Sequence, residues 1–190
     1  GLFKVMARPR IWLAGLAAMC LYWTYVNLIY SSAPYLKLVY NVSDGVSGLF
    51  GAAATSLVGA LICIPTGFVA DYVFRSSAAM MTAALTVIAI SAAAVYMLPS
   101  SKMMMWPAII LLIVMSVGVF MGKSVILAPI AELDLPEEIN GSAMAVASFL
   151  AYASIIWGNS MTAGIVESYR HNAYEGYQII FLITLAVALA

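Results

Sequence analysis

Charge is what this sequence has least of: 8% of its 190 residues are Asp, Glu, Lys or Arg, where about 25% is ordinary in soluble domains. Eight basic residues balance eight acidic ones, so there is no basic surplus of the kind that holds nucleic acid. One histidine and two cysteines offer neither a metal cluster nor a disulfide framework. Cys20 and Cys63 fall inside apolar runs, where they read as small buried hydrophobes. No Gly-rich phosphate loop and no nucleophile–base pair occurs, so an enzyme reading has no support and no cofactor is expected. Polar cover is short as well. With 65% hydrophobic residues and a mean hydropathy of +1.04, the chain cannot clothe a surface in water, and it is too apolar for disorder. A lipid bilayer is the solvent that fits.

The few charges that are present mark out the architecture. Residues 11–36, 45–70, 76–101, 103–122 and 139–166 contain no Asp, Glu, Lys or Arg, and each run reaches the roughly 20 residues that cross a bilayer as a helix. They lack the alternation of a membrane barrel. The predicted fold class is therefore all-α integral membrane, a six-helix bundle with spans at 11–33, 46–70, 77–98, 107–130, 139–166 and an incomplete 174–190. Pro107 suits a first helical turn, Pro99 with Ser100 and Ser101 ends the third span, and Pro34 predicts a break before Tyr35–Tyr40. Trp106, Tyr35, Tyr40, Tyr174 and Tyr177 fall near span ends, where amphipathic rings favour the interface. From Gln178 to Ala190 there is only about 20 Å of helix at 1.5 Å per residue. Together with a first residue other than Met, this predicts a fragment of a longer protein.

Six spans put Lys4, Arg8, Arg10 and Arg75 on one side and Lys37, Lys102 and Arg170 on the other. Basic residues gather in the cytoplasm, so both termini are expected there. Within the second span, Gly51, Thr55, Gly59, Cys63 and Gly67 recur every four residues, and Gly118 and Gly122 repeat the spacing in the fourth. Such rows let helices approach closely, whether to slide or to pack statically. Pro65 is expected to bend the second span.

Several segments resemble a known family. The lead-in Phe3–Leu13 resembles the entry to the seventh helix of major facilitator superfamily transporters. Gly67-Phe68-Val69-Ala70-Asp71, with Arg75, is similar to the superfamily's loop motif Gly-x-Leu-x-Asp-Arg-x-Gly-Arg, although Tyr72 replaces its first Arg and Phe74 its second Gly. Leu135–Ala143 resembles the loop entering helix eleven. The resemblance implies the C-terminal six-helix half, helices seven to twelve, of a bacterial inner-membrane permease. It implies an anion or sugar-phosphate type of substrate, and a latch in which Gly67, Asp71 and Arg75 hold neighbouring helix ends. Asp71 and Arg75 also read as an ordinary solvated pair.

Lys123 is the sharpest candidate for chemistry. An ionisable residue at membrane depth faces a cavity or partner, or else snorkels to the headgroups along its flexible stem. Asn27 and Tyr30 share a helical stripe with Trp23, flanked by Tyr22 and Tyr25; Tyr152 and Asn159 share another with Ser148. Substrate contact is one reading of these groups, and bonds between helices are the other. Glu132 is expected to be solvated or to form a gating salt bridge, and His171 to lie on the surface. The expected function is half of a secondary transporter that moves a small polar solute, with organic anions and sugar phosphates among the candidates, by alternating access. A non-transporting membrane scaffold or assembly protein is the alternative. Expected partners are the bilayer, the small-molecule substrate, and either a missing N-terminal six-helix half or a second copy of this one.

Overall fold

A computed structural model describes residues 5–190; the lead-in residues 1–4, and with them Lys4, lie outside the described residues. Six helices follow in order: α1 Pro9–Tyr40, α2 Asp44–Phe74, α3 Ser77–Met97, α4 Met105–Ser124, α5 Glu137–Ser168 and α6 Ala173–Leu189. α1, α2, α3 and α5 are each long and apolar enough to cross a membrane, as is α4 with its flanking turns over Lys102–Ala131. α6 is a shorter apolar helix. The chain is thus a multi-pass membrane protein by length and composition, all-α among the described residues.

The helices run alternately up and down. At the end that carries Pro9, the Ser77 amide donates to Glu132 Oε1 at 2.8 Å. At the Tyr40 end, Tyr174 Oη donates to the Leu98 carbonyl at 2.7 Å and Gln178 to the Tyr96 carbonyl at 3.2 Å. α1 is the hub, in contact with α2, α4, α5 and α6, while α3 lies against α4 and α6. α2 and α5 sit at the flanks, the least buried of the five long helices.

Two boundaries differ from those expected. α1 runs straight through Pro34 to Tyr40, because the missing amide removes a single bond while packing holds the last two turns. Tyr35 and Tyr40 are buried there, with the Tyr35 ring 5.5 Å from Tyr177 and 5.0 Å from Phe181. α4 stops at Ser124 rather than near residue 130, and a separate turn, Ala128–Ala131, follows. Pro129 explains the stop: it sits at the start of that turn and its ring is incompatible with a helix continuing from α4. Pro107 does lie in the first turn of α4.

α2 is not a uniform helix. Its backbone widens to π-type turns at Ala53–Leu57 and Ala70–Phe74. In the first, the Ala54 carbonyl receives the hydroxyl of Ser116 on α4, which ties the widened turn to its neighbour. The second ends at Arg75, whose left-handed backbone (φ 52°) closes the helix with its amide on the Ala70 carbonyl at 2.8 Å.

Candidate functional site

The site is built around Lys123, the next-to-last residue of α4. A Cβ added to its neighbour Gly122 would stand 2.5 Å from Leu21 Cδ1, so α4 and α1 touch almost backbone to side chain at this level. That contact fixes the height at which Lys123 leaves its helix. From there its Nζ lies 3.5 Å from the ring centroid of Tyr25 on α1 and 5.7 Å from that of Phe120 on its own helix. Tyr25 stands about 24 Å along α1 from Pro9 at 1.5 Å per residue, halfway to Tyr40. Leu21 is one turn nearer the Pro9 end than Tyr25. The lysine stem therefore runs from the level of Leu21 to the Tyr25 ring, packed against α1.

Phe120 is held in turn by α2. Gly59 leaves room for it, since a Cβ there would meet the Phe120 ring at 2.8 Å. The Phe120 ring stands edge-on to Tyr25 at 5.8 Å. From Tyr25 the rings continue across α1 to Tyr22 at 5.4 Å, and from Tyr22 to Tyr152 on α5 at 4.7 Å. Four rings from α4, α1 and α5 thus form one wall with the ammonium at its α4 end. Lys123, Tyr22 and Tyr25 are half-buried, and Tyr152 is 51% exposed, so the chain itself leaves this wall partly uncovered.

Electrostatically, Lys123 stands alone. Among the described residues the ion pairs are Lys37–Asp44 at 2.7 Å and Arg170–Glu167 at 3.3 Å, both near helix ends. Every acidic residue sits in a first or last turn or in a loop, none at the level of Tyr25. A cation over an aromatic face gains about 0.5–1 kcal/mol when exposed and about 2 when desolvated. Lys123 is half-buried, so it keeps part of its hydration beside the Tyr25 ring, and no carboxylate neutralises it among the described residues.

The remaining candidates divide. Tyr30, 61% exposed, and Asn159 line a separate cleft of about 480 Å³ nearer the Tyr40 end, with Thr162 and Glu167 beside them. Asn27 is on neither surface. It is 4% exposed, and its amide donates to Thr184 Oγ1 on α6 at 2.7 Å while accepting from Ser31 at 2.8 Å. Its burial and the bond to Thr184 place it inside the packing of α1 against α6 rather than on the open wall beside Lys123. Trp23 is likewise enclosed, stacked on Trp157 at 6.1 Å and lying over Gly158.

Asp71 and Arg75 are both exposed and form no ion pair with each other, and a side chain at Gly67 would meet nothing within 4 Å. The contact that joins helix ends here is made by Glu132. Far from being merely solvated, its carboxylate holds the Ser77 amide at the start of α3, where the helix dipole favours negative charge. Tyr25 and Phe120 were the partners of Lys123 that sequence spacing left unassigned. Phe120 is three residues before Lys123, the offset at which helical side chains meet, and was the signal to follow.

No protein-family model, curated protein or solved structure matches this chain.

Proposed function

We propose that the chain is one six-helix half of a secondary carrier of major facilitator type, moving a small polar anion by alternating access. The observation that carries this reading is the Lys123 ammonium, halfway along α1, over Tyr25 and without a carboxylate. An ionisable group held at that depth and packed against α1 suits a substrate pathway. In this reading both termini are cytoplasmic, and a second six-helix unit, either the other half of the carrier or a second copy, covers the wall formed by α1, α4 and α5. Tyr152 shares the central site with Lys123. Tyr30 and Asn159 serve the pathway toward the outer face, and Asp71 with Arg75 latch the cytoplasmic side against the opposing unit.

A static membrane scaffold is the competing reading, favoured by the Asn27–Thr184 bond that joins α1 to α6, with Ser31 donating to Asn27 within α1. Lys123 separates the two, since a scaffold gains nothing from an unpaired ammonium in its middle. The test is Lys123→Ala in the protein at its native locus, with membrane levels checked by immunoblot. Uptake of labelled organic anions or sugar phosphates is expected to disappear while the protein level holds. Unchanged uptake refutes the carrier role.

A further inference from the structure

The surroundings of Lys123 select among anions. A single ammonium is a point charge, and among the described residues no arginine stands at its level to supply the planar fork that suits phosphate. A carboxylate neutralises one charge, whereas a phosphate dianion brings a second negative charge that no other basic side chain at this level balances.

The rings select further. Tyr25, Tyr22 and Tyr152 follow one another at 5.4 and 4.7 Å from α1 to α5, each only partly covered by the chain. When an anion draws the ammonium away, the electron-rich face of Tyr25 loses its cation. The positive edge of an aromatic ring is a group that can take that place, and edge-to-face contacts of this kind add to simple area burial. A saturated ring of equal size offers no such edge. Resting on the anion-carrier reading above, we infer that the ligand of this site is a planar aromatic monocarboxylate, with its carboxylate on Lys123 and its ring against Tyr25, Tyr22 and Tyr152.

The test uses the protein as expressed from its native locus, purified into lipid nanodiscs, and four probes: benzoate, cyclohexanecarboxylate, phenyl phosphate and benzamide. Saturation-transfer NMR reads their dissociation constants even when binding is weak. Benzoate is expected to bind at least tenfold more tightly than each of the others. Lys123→Gln is expected to abolish the preference over benzamide, Tyr25→Leu the preference over cyclohexanecarboxylate, and Tyr25→Phe to retain it. Far-UV circular dichroism of each variant shows whether the bundle is intact.

Equal binding of the two carboxylates, both dependent on Lys123, overturns the aromatic assignment and leaves the anion carrier standing. Tighter binding of phenyl phosphate does the same in favour of a phosphate ester. Binding of no probe, or binding indifferent to Lys123→Gln in a folded variant, overturns both.

Discussion

Gly122 has the least room of the described glycines, and substituting it tests the packing that positions Lys123. A Cβ at this position meets Leu21 Cδ1 at 2.5 Å, Leu21 Cδ2 at 2.7 Å and Ala84 Cβ at 3.2 Å. Carbon atoms rest about 3.5–4.0 Å apart, so the overlap with Leu21 is roughly 1 Å. Leu21 and Ala84 are both fully buried, which leaves neither a free direction in which to move. Overpacking of this kind costs about 1–3 kcal/mol. Against it stands the helix-propensity gain of Ala over Gly, about 0.8–1.0 kcal/mol. Gly122→Ala should therefore destabilise by up to about 2 kcal/mol. Gly67→Ala, with nothing near its Cβ, should be neutral or stabilising by up to about 1 kcal/mol. SDS titration in mixed micelles, followed by circular dichroism, measures both. Adding Leu21→Ala to Gly122→Ala removes the clashing methyls, so the two changes should be strongly non-additive, with a coupling of about 1 kcal/mol or more. Equal stabilities for the two glycine variants, or simple additivity in the double variant, would show that α1 and α4 do not meet as described.

Two smaller tests address the polar contacts. A double-mutant cycle of Asn27→Ala and Thr184→Ala should give a coupling near 0.6 kcal/mol, as membrane hydrogen bonds between helices do. A coupling of zero would free Asn27 for another role. Glu132→Gln keeps an acceptor for the Ser77 amide but removes the charge from the start of α3. At this exposed site the loss should be about 0.3–1 kcal/mol and should shrink as salt is added. A loss insensitive to salt would assign Glu132 a steric rather than an electrostatic part.

The helices were legible because charge is so rare: each charge-free run became the body of a helix, and the spans at 77–98 and 139–166 fell within two residues of α3 and α5. Where proline decided a boundary, sequence reasoning went both ways. Pro129 ended α4 early through local chain geometry, whereas Pro34 was overridden by tertiary contacts of Tyr35 and Tyr40 that no local pattern reveals. Lys123 stood out because an ion among apolar residues needs an explanation. Its partners did not stand out, since Tyr25 belongs to a helix remote in sequence and reaches Lys123 through the α1–α4 contact at Gly122. The place of Asn27 was hidden for the same reason: a polar residue on a helical stripe looks alike whether it faces a vestibule or Thr184, and only the position of α6 distinguishes the two.

The central claim is that the end of the Lys123 side chain stands where water and anions reach it. Lys123→Cys, in a background with Cys20→Ala and Cys63→Ala, places a lone thiol at that position, and its labelling in sealed vesicles can be timed. A negatively charged, membrane-impermeant thiosulfonate is expected to modify the thiol within minutes. Labelling only by a lipid-soluble maleimide, with the charged reagent inert from both sides of the membrane, would place the group among acyl chains and contradict the account.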